Sequence, residues 1–234
     1  MKAGSSCAPW ASTSDRPRQP ALREPVTLAA TLAAAAAGGP PSPDWSVTVL
    51  PRAAGAAVAA VVGFTAHHVV AADVDPGWVL ASLPAWSLTA PLSARFLAAL
   101  ADRVGAEPGA LDADLVAPAT AVPLPGLRPV DGVDHARLHR ARRYRTEIRA
   151  YRADGGLLVL GRGLAGRWEV AVEVDQACRG RGLGRRLVAA APGLVPPGEP
   201  LWAQVAPGNV TSMRAFLAAG YRPVAAEVLF SRSA

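Results

Sequence analysis

The segment Val174-Asp175-Gln176-Ala177-Cys178-Arg179-Gly180-Arg181-Gly182-Leu183-Gly184 constrains this chain more than any other. The Val-rich run before it, Trp168 to Val174, reads as a strand, and Gly182 to Ala191 after it reads as a helix. Three glycines within five residues let the backbone turn tightly and approach a ligand with no Cβ in the way. A helix that starts at Gly182 aims its free N–H groups and the positive end of its dipole into that turn, the arrangement that attracts a phosphate or pyrophosphate. Arg179, Arg181, Arg185 and Arg186 add charge of the matching sign. The segment lacks the Gly-Lys-Ser/Thr ending of a Walker A loop, and its glycine spacing is not that of a dinucleotide fingerprint. The residues alone therefore specify an anion-binding strand–loop–helix.

Around this segment the chain reads as strands Glu147–Tyr151, Leu157–Leu160 and Trp168–Val174, with a hairpin turn at Asp154-Gly155-Gly156. Helix Gly182–Ala191, strand Leu201–Val205, helix Val210–Ala219 and strand Val224–Phe230 complete an α/β order. An arginine-studded helix, Val133–Tyr144, precedes them. Further towards the start, Val26–Ala37 reads as an alanine-rich helix stopped by Gly38-Gly39-Pro40-Pro41, and Trp45–Leu50 as a strand. Val58–Ala72 reads as strand with a break near Gly63, Asp75-Pro76 opens a short helix, and Ser93 caps a helix that Gly105 stops. This gives a polar, disordered tail at 1–25, an α/β region at 26–117, a Pro-rich linker at 118–130 and a second unit at 131–234.

The pattern Arg179-x-x-Gly182-x-Gly184, with Val174 at the strand end, resembles the signature of the GCN5-related N-acetyltransferases, the GNAT family. A second segment, from Asn209 through Ser212, Phe216, Gly220 and Tyr221, is similar to the family's other recurrent element, and it follows strand Leu201–Val205 in the expected order. The resemblance covers about residues 131–234. It implies an α+β-type GNAT fold: a central mixed, largely antiparallel sheet with splayed strands flanked by helices. It leaves two readings for 26–117, a degenerate second copy of that fold or a cap over the acceptor site.

The resemblance further implies acetyl-CoA as co-substrate, with no metal. Amides of Arg179, Gly180, Arg181, Gly182, Leu183 and Gly184, with Arg185 alongside, would hold the pyrophosphate. Backbone groups of Val172 and Val174 would pair with the pantetheine arm. Asn209, Ser212 and Phe216 would line the cofactor side. An amine would attack the acetyl carbon directly, so Cys178 is not needed as a nucleophile. Glu169 and Glu173, on the strand beside the expected thioester, are the candidates for general base, directly or through water. The competing reading makes both of them ordinary strand carboxylates paired with arginines such as Arg167. The family often has a tyrosine acid where this chain has Phe216, and phenylalanine cannot donate a proton. That departure motivates an alternative of another class, a CoA-binding regulatory or interaction module without turnover.

The remaining features add little. The net charge of +6 favours anionic partners, but Lys2 is the only lysine and the arginine usage follows a general compositional bias. The arginine helix lacks the interleaved aromatics of a nucleic-acid surface, which argues against that partner. His135 and His139 share a helix face without a third ligand, and His67 and His68 point to opposite faces of a strand. Two cysteines, Cys7 and Cys178, form no disulfide framework, no apolar stretch follows the start as in a secretory signal, and Ala53–Ala72 is too interrupted for a membrane span. The expectation is a cytoplasmic enzyme, a monomer or homodimer, acting on an amine acceptor.

Overall fold

The computed structural model describes residues 26–53 and 57–232; the expected tail at 1–25, with Cys7, lies outside the described residues. Ten strands form one open sheet: β1 (Val47–Leu50), β2 (Ala59–Phe64), β3 (His67–Ala71), β4 (Glu107–Val116), β5 (Arg128–Pro129), β6 (Thr146–Ala153), β7 (Gly156–Arg162), β8 (Trp168–Val174), β9 (Leu201–Val205) and β10 (Arg222–Ser231). Their order is β1-β3-β2-β10-β4-β9-β8-β7-β6-β5. The sheet is mixed and mostly antiparallel; among the described residues, only β1–β3 and β8–β9 are parallel pairs.

Among the described residues, six α-helices cover it. One face carries α1 (Leu28–Ala36) and α4 (Ala136–Tyr144); the other carries α2 (Pro76–Ala81), α3 (Ala94–Val104), α5 (Leu183–Ala190) and α6 (Val210–Ala218). Each begins where local chemistry allows it. Thr27, Asp75 and Ser93 cap α1, α2 and α3 with side-chain oxygens, and Pro76 sits at the first position of α2. Gly105, at φ 61°, ends α3 in the left-handed conformation. The apolar stripe Phe96–Leu100 of α3 is buried against Val61, Val70 and Phe230. No helix of the described residues is long and apolar enough to cross a membrane.

Three features differ from the sequence reading. First, β4 was not expected. It lies between β9 and β10, antiparallel to both, so a strand from 26–117 occupies the centre of the sheet that 131–234 builds. The segment 118–130 is therefore no boundary in the sheet: Val122 N–H donates to the Ala189 carbonyl of α5, and Arg128–Pro129 pairs with β6. Second, the break between β2 and β3 falls at Thr65–Ala66, where Ala66 takes φ 51°, and Gly63 stays within β2. A Cβ on Gly63 would lie 2.9 Å from Leu92 Cδ1, so close packing accounts for that glycine. Third, helix α4 starts at Ala136, because His135 Nδ1 accepts from Arg137 N–H and caps it there.

Candidate active site at a gap between two parallel strands

Strands β8 and β9 pair only at Trp168–Leu201 and Glu169–Trp202 and then diverge. The β7–β8 register, with Asp175 N–H bonded to the Gly155 carbonyl, turns the backbone groups of alternate residues Val170, Val172 and Val174 away from β7 and towards the gap. A cavity of about 450 Å³ occupies this gap and passes through the sheet. Its wall on the α4 side includes Arg137, Arg140, Tyr144 and Arg145; its wall on the α6 side includes Asn209, Ser212 and Phe216.

The expected site residues are thus partly gathered. Glu169, Val172, Glu173, Asn209, Ser212 and Phe216 line one cavity. The loop from Arg179 to Gly184 and Arg185 does not line it; it lies past the end of β8, ahead of α5. The Val174 carbonyl accepts from Arg179 Nε at 3.0 Å, which ties the loop to the strand end and takes up that carbonyl. Gly180 (φ 74°) and Gly182 (φ 77°) are both left-handed, and a Cβ at either position would meet nothing within 4 Å, so backbone conformation rather than space requires glycine there. Gly182 is the N-cap of α5, and no side chain caps the helix. The first amides of α5 are left for an external acceptor. Arg181, Arg185 and Arg186 are exposed and make no ion pair with a carboxylate among the described residues.

The two expected bases are differently placed from a free carboxylate. Glu169 is 2% exposed. Its Oε2 accepts from Arg145 Nε at 2.8 Å, and its Oε1 from Gln204 Nε2 at 2.8 Å, Arg167 Nε at 3.0 Å and Leu164 N at 3.2 Å. Burial favours its neutral form, but the guanidiniums of Arg145 and Arg167 outweigh that and hold it below the ordinary glutamate range. A carboxylate so committed has little affinity for another proton. Glu173 is more open, but Arg137 Nε donates to it at 2.9 Å and likewise lowers its proton affinity. Glu169 is thus a strand carboxylate paired with Arg167, and Glu173 pairs instead with an arginine of α4.

Residues that sequence reasoning missed sit on the same face. Asp112 and Asp114 of β4, Gln204 of β9 and Glu227 of β10 project beside Glu169, with Asp112 opposite Glu227 and Asp114 opposite Gln204. Arg167 lies among them: its Nη2 reaches Glu227 at 2.7 Å and Asp114 at 3.3 Å. Among the described residues, Asp112 is the member of this group that lines the cavity without a hydrogen-bonded cation. Burial, then the charge of Glu227, raises its pKa to about 6 against the opposing pull of Arg140. The signal for it in sequence is the alternation Asp112-x-Asp114 before the apolar Leu115-Val116, which marks a strand with one polar face.

Phe216 is buried and meets Tyr221 edge-on at 4.9 Å. The Tyr221 hydroxyl donates to the Val188 carbonyl at 3.0 Å, and burial pushes its pKa up. Tyr221 is a packing residue with its hydroxyl committed, while Tyr144 lines the cavity. Trp168 and Trp202 are each 1% exposed and belong to the core, with the Arg167 guanidinium stacked 4.7 Å from the Trp202 ring. His139 pairs with Asp134 at 2.6 Å, and no group of three metal-ligating side chains occurs among the described residues.

No protein-family model matches the sequence, and no curated protein matches it. Among solved structures, a GNAT-family acetyltransferase from Novosphingobium aromaticivorans is 22% identical, covering 53% of this chain and 66% of that one, with a TM-score of 0.39. A GCN5-related N-acetyltransferase from Kribbella flavida is 20% identical, covering 59% and 64%, with a TM-score of 0.36. A tandem GNAT protein from the clavulanic acid biosynthesis pathway is 19% identical, covering 73% and 63%, with a TM-score of 0.38. The chain spans somewhat less than two thirds of the length of these structures.

Proposed function

We propose that this protein is a GNAT-type N-acetyltransferase, moving an acetyl group from acetyl-CoA to an amine. The observation that carries the reading is the gap between β8 and β9, open through the sheet, with the uncapped, arginine-flanked start of α5 at its end. The chain offers two features that fit the co-substrate: amides and guanidiniums for its phosphates at Gly180–Arg186, and the unpaired edge of β8 at Val170 and Val172 for its amide-bearing arm. Acetyl-CoA supplies an acetyl group activated as a thioester.

The protein's own residues then divide the work. Asn209 Oδ1 caps α6 by accepting from Ser212 N–H at 3.1 Å, which fixes the far wall of the cavity. Gln204, held by Glu169 and Glu227, keeps the β9 side rigid. Asp112 receives the proton that the amine gives up, being ionised above about pH 6 and placed on the cavity side that faces away from α6. Phe216 donates no proton. A thiol of pKa about 8.5 leaves as thiolate without a strong acid, and Tyr144 is the cavity's phenol should one assist.

Thermal melting with and without acetyl-CoA, followed by free-thiol release over a panel of amines, tests this. Stabilisation by acetyl-CoA together with thiol release on at least one amine is the expected result. Stabilisation with no release on any amine would favour a CoA-binding module instead, and no stabilisation at millimolar acetyl-CoA would remove the reading altogether.

A further inference from the structure

The acceptor side of the cavity carries a charge pattern that says more than "amine", granted the acetyltransferase reading above. Its floor has an excess of carboxylate. The nearby cations are already engaged: Arg167 with Glu227, Glu169 and Asp114, Arg145 with Glu169 and Gln204, and Arg137 with Glu173. Asp112 lines the cavity with no such partner among the described residues.

The wall shows the opposite imbalance. Arg140 of α4 lines the same cavity, is exposed, and makes no ion pair with a carboxylate among the described residues; its guanidinium lies 5.9 Å from the Tyr144 ring centroid. It is near enough to Asp112 to lower that residue's pKa, yet it does not bond to it. One cavity therefore presents an unmatched carboxylate on its floor and an unmatched guanidinium on its wall.

We propose that the acceptor is a small zwitterionic amine, a primary amine with a carboxylate a few bonds away, whose ammonium docks on Asp112 and whose carboxylate pairs with Arg140. The docked ammonium passes one proton to the Asp112 carboxylate. The freed nitrogen lone pair forms the bond to the acetyl carbon, the carbon–sulfur bond breaks, and its electron pair leaves on the thiolate. The second amine proton departs to solvent or to that thiolate, giving a neutral amide. Arg140 binds the acceptor's anionic end with two parallel N–H donors, which a lysine does not reproduce.

Thiol release by the full chain, measured with glycine, β-alanine and 4-aminobutyrate against butylamine and 1,4-diaminobutane, decides between acceptor classes. We expect one of the three amino acids to exceed both uncharged-tail and dicationic amines in kcat/KM by about ten- to a hundredfold, the range of one charge-assisted hydrogen bond. Arg140→Gln should collapse that ratio, chiefly through KM for the amino acid, and Arg140→Lys should restore part of it. A best rate with 1,4-diaminobutane, or an amino-acid preference that survives Arg140→Gln, overturns the proposal. Turnover of butylamine equal to that of every amino acid overturns it while leaving acetyl transfer standing. Failure of acetyl-CoA to stabilise the wild-type chain overturns the acetyltransferase reading itself, and this proposal with it.

Discussion

Replacing Arg167 with methionine removes the one cation shared by Asp114, Glu169 and Glu227 while keeping a side chain of similar length. All four residues are buried, so water cannot take over the guanidinium's role. Breaking a buried pair by deleting one partner costs about 3–5 kcal/mol. Proton uptake sets a ceiling on that cost, because a stranded carboxylate can become neutral instead. Holding one such group protonated near pH 7.5, when it would ionise at about 4.3 in the unfolded chain, costs about 4 kcal/mol; near pH 5.5 the same step costs about 1.5 kcal/mol. The mutant's folded state thus binds more protons than its unfolded state, and its stability falls as pH rises. Urea unfolding of both proteins at the two pH values, followed by tryptophan fluorescence, should show a loss of about 4 kcal/mol at the higher pH that shrinks by more than half at the lower. A loss under about 1 kcal/mol, or an equal loss at both pH values, would refute the view that this arginine neutralises the buried carboxylates.

Three further substitutions have expected outcomes. Gly182→Asp should abolish stabilisation by acetyl-CoA in a thermal melt, since a carboxylate would occupy the start of α5; the φ of 77° adds a folding cost of about 1 kcal/mol, less than a core defect. Asp112→Asn should lower kcat/KM by about 10²–10⁴-fold and remove the limb that rises through about pH 6. Because burial raises the folded pKa of Asp112, its contribution to stability falls between pH 3.8 and about 6, so the same variant should melt a few degrees higher at neutral pH, about 1 kcal/mol after solvent screening. Tyr221→Phe should cost about 1–2 kcal/mol by orphaning the Val188 carbonyl and leave kcat unchanged; a tenfold fall in kcat would assign the hydroxyl a chemical role.

What the sequence disclosed was whatever its own neighbours determine. The cap at Ser93 and the stop at Gly105 delimit α3, and the Asp154-Gly155 turn joins β6 to β7, because each depends on a few adjacent residues. The Gly180–Gly184 loop was legible for the same reason. Strand β4 was not: Pro108 and Gly109 are poor strand formers, and the alternation Asp112-x-Asp114 is too short to mark a strand by itself. It exists because β9 and β10 offer both edges and Arg167, remote in sequence, neutralises the face it presents. With β4 unseen, Asp112 was unseen too, and the two carboxylates singled out on β8 are each held by arginines, Glu169 by Arg145 and Arg167 and Glu173 by Arg137.

The central position of β4 also sets the order in which the molecule can assemble. The strand ends at Val116, whereas its two neighbours begin at Leu201 and Arg222. Every ladder bond that β4 makes within the sheet joins residues far apart along the chain, and closing such loops is slow. During synthesis the early part of the polypeptide therefore emerges with a strand that has nothing to pair with. Asp114, buried in the finished sheet, remains hydrated until Arg167 and then β10 arrive. Folding is expected to be a single late event for the whole sheet, so cutting the chain at 118–130 would yield two fragments that fold only together.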